Sequence, residues 1–114
     1  MKTTIELMMI IFNTNKVDWM GDEIKSLSDL TCHHIVKKED GGESDISNYA
    51  LLTISSHRLL HYLEDNYHNS YVYLNNKFLE LNRSLKEPTI EFFEEIKRVL
   101  KKVKKDIKNN RRSR

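Results

Sequence analysis

Two apolar stripes flank Pro88, the only proline in the chain. Tyr71, Leu74, Phe78, Leu81 and Leu85 are spaced 3, 4, 3 and 4 apart, and Phe93, Ile96, Leu100, Val103 and Ile107 repeat that spacing. This period places one apolar seam along each of two helices. Proline lacks a backbone N–H and separates them. A seam must be buried, so the two helices either form an antiparallel hairpin or both pack on the rest of the chain. We read both seams as core. A homodimer through the last helix is the other use of the second seam.

The 114 residues suit one domain with a modest core. Residues 3–12 are β-branched and apolar without alternation, which fits a buried strand or a short helix. Asn13 to Gly21 reads as a loop, and Asp22 to Leu27 as one or two helical turns. Leu30 to Val36 favours a strand. Lys37 to Ser47 is a polar loop containing Gly41-Gly42. Tyr49 to Thr53 returns as a second strand. Ser55 or Ser56 then caps a helix from about His57 to about Glu64. The expected class is α+β. Residues 1–29 form an N-terminal extension, 30–64 a strand–loop–strand–helix core, 68–86 a helix, and 88–114 a basic C-terminal helix and tail.

Several classes are excluded. With 3 Gly, 1 Pro and 39% hydrophobic residues the chain is neither collagen-like nor a Gly/Pro-rich disordered segment. No stretch approaches the ~20 apolar residues of a membrane span. The apolar run Leu7–Phe12 has no small-residue cleavage site after it, against a signal peptide. Cys32 is the only cysteine, so no internal disulfide and no four-cysteine zinc ribbon can form, and a reducing, cytoplasmic setting is the simpler expectation. We read Cys32 as a small buried hydrophobe.

The net charge of +2 hides a division. Residues 97–114 carry ten Lys/Arg against the single acid Asp106, a net +9, while residues 1–96 carry nine basic and sixteen acidic residues, a net −7. A basic end of this kind is the footprint of a polyanion partner, most often nucleic acid, or a helix folded back on an acidic body. Lys101, Lys102, Lys104 and Lys105 lie beside the second seam and would touch phosphates, which carry no sequence information. Lys108 to Arg114 is expected to fray.

Four of the five histidines fall in two pairs. His57 and His61 are four apart on the expected helix, so their imidazoles can converge on one ion. His33 and His34 are adjacent. On a strand their side chains point to opposite faces, so both serve one site only at a strand end or in a loop. His68 has no partner at such a spacing. Arg58 beside His57 offers a planar phosphate donor or is simply a surface residue.

From Thr31 to His61 the chain reads TCHHIVKKEDGGESDISNYALLTISSHRLLH. His34 to Asn48 spans fourteen positions, Asn48 to His57 nine, and His57 to His61 four. This resembles the HNH nuclease family, whose core is the ββα-metal motif, and is most similar to its colicin-type members with three histidine ligands. The resemblance covers about residues 30–64. It implies a metal-dependent endonuclease that hydrolyses phosphodiester bonds in DNA. His33, His57 and His61 would hold one divalent ion, His34 would be the general base, and Asn48 would brace the loop or that base. Imidazole donors suit zinc or nickel, and family members also use magnesium or manganese. The other readings are a non-catalytic, metal-stabilised module of the same fold, and a delivered toxin with an inhibitor protein. Stand-alone members of this size often belong to phages or other mobile elements, and the resemblance implies such a setting by analogy.

The chain departs from the family at three places. The cysteine pairs of a structural zinc are missing, so the helices after residue 66 are expected to brace the core instead. Val36-Lys37-Lys38 replaces a proline-bearing loop start, and Tyr49 follows Asn48 where leucine is commoner.

Overall fold

The computed structural model describes residues 1–112. The fold is α+β. Two antiparallel strands, β1 (Leu30–His34) and β2 (Tyr49–Thr53), pair with Leu30 opposite Thr53 and His34 opposite Tyr49. Helix α1 (Thr4–Ile11) precedes them, α2 (Ile54–Asn66) follows β2 directly, and α3 (His68–Ser84) and α4 (Ile90–Arg112) complete the order.

The strand-or-helix ambiguity at residues 3–12 resolves as helix. Thr3 Oγ1 accepts from the Glu6 N–H and the Glu6 carboxylate accepts from the Thr3 N–H, a reciprocal cap. The inner face of α1 buries Met8, and Phe12 is buried just beyond its end. Trp19 is also fully buried, with ring centroids 5.0 Å from Phe12 and 6.1 Å from Phe78. Its backbone N–H donates to the Leu51 carbonyl, so this segment lies along β2.

The helical turns expected over Asp22–Leu27 do not form; Leu27–Asp29 makes a single 3-10 turn instead. The reason is buried Asp18. Its Oδ1 accepts from the N–H groups of Met20 and Asp22, at 2.8 and 2.9 Å, and its Oδ2 from that of Thr53, at 2.8 Å. Side-chain bonds to the backbone compete with helix, and Val17 and Glu23 form an isolated antiparallel bridge.

The α2 cap is also corrected. It is Thr53, not Ser55 or Ser56: Thr53 Oγ1 accepts from the Ser56 N–H at 3.1 Å and donates to Asp22 Oδ2 at 2.6 Å. The last residue of β2 thus starts the helix, and α2 begins three residues earlier than expected.

Tyr71, Leu74, Phe78 and Leu81 bury the α3 seam. Leu85 leaves it: α3 ends at Ser84, and Leu85 is a left-handed cap (φ 54°) that stays exposed. Ile96, Leu100 and Val103 bury the middle of the α4 seam within the chain itself. Two polar ties help hold α4. Tyr67 Oη donates to Asp106 at 2.7 Å, and Lys77 pairs with Glu95 at 2.5 Å. The lone acid of the basic segment is therefore a structural contact. Helix α4 continues through Lys108 to Arg112 where fraying was expected; Ser113 and Arg114 lie outside the described residues. Among the described residues no helix is long and apolar enough to cross a membrane.

Candidate active site

His33 and His34 stand at the end of β1, and α2 crosses beside them. All four paired histidines line one open cavity of about 510 Å³, together with Lys37, Lys38 and Glu39. His34 is the last residue of β1. The strand stops there, which lets two neighbouring side chains of opposite direction reach one opening.

The His33 ring lies 5.4 Å from that of His57, edge to face, and His57 stacks on His61 with centroids 4.9 Å apart. His33 is buried, and its Nε2 is 2.9 Å from Asn75 Oδ1 on α3. Burial pushes its pKa down to about 4, against the opposing effect of the Asn75 bond. His57 Nδ1 is 2.8 Å from Thr31 Oγ1. Burial and then the neighbouring His61 hold His57 below the ordinary histidine value. Both rings are thus kept neutral near pH 7, the form that ligates metal. His61 is exposed, with Nδ1 3.7 Å from Glu64, a carboxylate already ion-paired with Lys37. Among the described residues no three His, Cys, Asp or Glu side chains are already arranged to hold a metal ion. Two of the three imidazoles are held, and the third is the exposed one.

His34 packs its ring edge to face on Tyr49 at 5.0 Å, and its Nε2 lies 3.3 Å from Ser44 Oγ. Asn48 braces the loop and not His34. Its Oδ1 accepts from the Val36 N–H, and its Nδ2 donates to the carbonyls of Val36 and Glu43, at 2.8 and 3.0 Å. Gly42 lies against this clasp, where a Cβ would come within 1.8 Å of the Val36 carbonyl oxygen. On the other side Asn82, buried on α3, donates to the carbonyls of Ile46 and Tyr49. Buried asparagines of α3 therefore brace the core.

The remaining expected residues lie elsewhere. Arg58 is exposed on α2 and does not line the histidine cavity. Lys101, Lys102, Lys104 and Lys105 are exposed on α4, and Lys101 and Lys104 line a different groove with Met20 and Phe93. Cys32 is half-buried where full burial was expected, and it borders the histidine cavity. Its thiol is pushed up by burial. Sequence reasoning missed Thr31, Lys37, Ser44 and Asn75. A polar residue beside an apolar seam was the available signal for Asn75; the other three carried none.

The strand–loop–strand–helix unit, with adjacent histidines at the first strand's end and two more on the helix, is a ββα core. Residues 20–62 match the family model described as HNH endonuclease, which supports the HNH family for this core. The match runs from Met20 to Tyr62 and leaves α3 and α4 outside it. No curated protein and no solved structure matches the chain.

Proposed function

We propose that the protein is a metal-dependent endonuclease that hydrolyses phosphodiester bonds in DNA. The observation that carries this reading is that His33, His34, His57 and His61 line one cavity together with Lys37 and Lys38. The donor set fits a divalent transition ion. It offers three imidazoles, two of them kept neutral by their surroundings, and no fourth protein donor, which leaves room for water or phosphate. When bound, the ion would stabilise charge on the phosphorus centre and the leaving 3′ oxygen.

The chain's own residues do the rest. His34, with its ring aligned by Tyr49 and Ser44, takes the proton of the attacking water. Asn48 acts at one remove by closing the loop that presents Lys38 to a phosphate, while Lys37 ties that loop to Glu64 on α2. The cations of α4 hold the duplex away from the reacting bond.

Plasmid cleavage tests this. Metal-stripped protein receives Mg2+, Mn2+, Ni2+ or Zn2+ beside the His34→Ala variant. The expected result is metal-dependent nicking or linearisation that the variant loses by at least ~100-fold, the scale of general-base catalysis, while folding and metal binding persist. Tight metal binding and DNA binding without cleavage under any ion would replace this reading with a non-catalytic binding module.

A further inference from the structure

Each of the two held imidazoles leaves only one ring nitrogen available, and hydrogen-bond chemistry decides which. The Thr31 hydroxyl has one proton. Its Oγ1 lies 2.9 Å from the Leu52 carbonyl, which can only accept, so the proton is committed there. The 2.8 Å contact to His57 Nδ1 must then be an N–H donating to Oγ1. A neutral imidazole has one N–H, so Nε2 of His57 is left bare. Asn75 Oδ1 is likewise an acceptor only, so His33 donates through Nε2 and its Nδ1 is bare. The two rings are held in opposite tautomers by residues on opposite sides of the site, one on β1 and one on α3.

We infer that Thr31 and Asn75 are positioning residues that fix these tautomers, so that His33 offers Nδ1 and His57 offers Nε2 to a single cation. The inference rests on the metal reading above and deepens it. A ligating histidine held through its other ring nitrogen needs no change of tautomer to bind, and loss of such a partner typically weakens metal affinity ~10–100-fold. Asn75 lies outside the segment that matches the family model, so this half of the arrangement belongs to the chain's own α3.

Two measurements test it. Long-range 1H–15N spectra of the metal-free protein report which ring nitrogen carries the proton. Calorimetric titration with Zn2+ at pH 7.5 reports affinity. Wild-type protein should show the Nε2–H form at His33 and the Nδ1–H form at His57. Thr31→Val and Asn75→Leu should each weaken Zn2+ binding ~10–100-fold. Thr31→Ser keeps the acceptor and should bind close to wild type; if Asn75→Leu fails to fold, the His33 tautomer of the wild-type protein and Thr31→Val carry the test. The reversed tautomers in wild type, or unchanged affinity in Thr31→Val or in a folded Asn75→Leu, would overturn the inference alone. Wild-type protein that binds no Zn2+ would overturn the proposed function and this inference together.

Discussion

At the scale of single residues, the neutrality of His33 has a measurable cost. In the unfolded chain an imidazole takes its proton below about pH 6.5. In the folded chain His33 stays unprotonated until about 4 because it is buried. Between those values the unfolded state binds a proton that the folded state refuses, so acid favours unfolding. The metal-free protein should lose roughly 3 kcal/mol of stability from this group between pH 6.5 and 4, at ~1.4 kcal/mol per pH unit. Urea denaturation in the presence of chelator, repeated at pH 7, 5.5 and 4.5, measures it; midpoints that do not move would contradict it. Gly42 gives a second test. A methyl group there meets the Val36 carbonyl carbon and oxygen and the Asn48 amide, groups locked in their own hydrogen bonds. Gly42→Ala should destabilise by about 1–3 kcal/mol, as overpacking does. Because the clasp orders the loop that carries Lys37 and Ser44, cleavage should fall in the same variant even where it remains folded.

At the scale of elements, the start of α2 decides where His57 and His61 stand. Thr53 ends β2, caps α2 and bonds Asp22, while Asp18 receives the Thr53 N–H. A strand, a helix and the N-terminal segment are fastened at one residue. Thr53→Ala should cost about 1–2 kcal/mol, the range of a lost helix cap, and thermal unfolding of the metal-free protein would show it. Thr53→Ser keeps the hydroxyl and should recover most of the loss. This cap also shows why element boundaries were hard to read. Thr53 belongs by composition to the strand, and two serines follow where a cap is expected. Only the contact with Asp22, 31 residues away, distinguishes it. The α1 segment shows the opposite case. Its capping box was present in Thr3 and Glu6, but the apolar run between Leu7 and Phe12 also suits a strand, and packing of Met8 settled it.

At the scale of the whole molecule, the α4 cations and the histidines occupy different places. Lys97, Lys101 and Lys104 of α4 line their own groove, while Lys37 and Lys38 line the histidine cavity. Helix α4 is held by its seam, by Tyr67 with Asp106 and by Lys77 with Glu95, which leaves the lysine face open to a polyanion. If that face carries DNA, Lys101→Gln and Lys104→Gln should each lower the slope of log affinity against log salt by about 1, the release of one counterion. Fluorescence anisotropy of labelled duplex at several salt concentrations measures the slope. Metal affinity should be the same in both variants, since neither residue lines the histidine cavity; a loss there would show that the two regions are coupled.

Much of this molecule was readable along the chain. The β2 boundaries, the loop between the strands, the α3 and α4 seams and the two histidine pairs depend on alternation, helical period and spacing, which are short-range properties. Family resemblance then gave the pairs expected roles. The contacts that position the site were not readable. His33 meets Asn75 across 42 residues and His57 meets Thr31 across 26. Asn48 had two candidate partners, and the folded loop supplied one of them, the backbone. The cations beside the histidines are those of the loop and not of the tail, because α4 buries its seam elsewhere. A local pattern specifies which side chains share a face. Which distant groups satisfy a buried ring nitrogen or carbonyl depends on how the faces pack, and packing selects among partners that look alike in sequence.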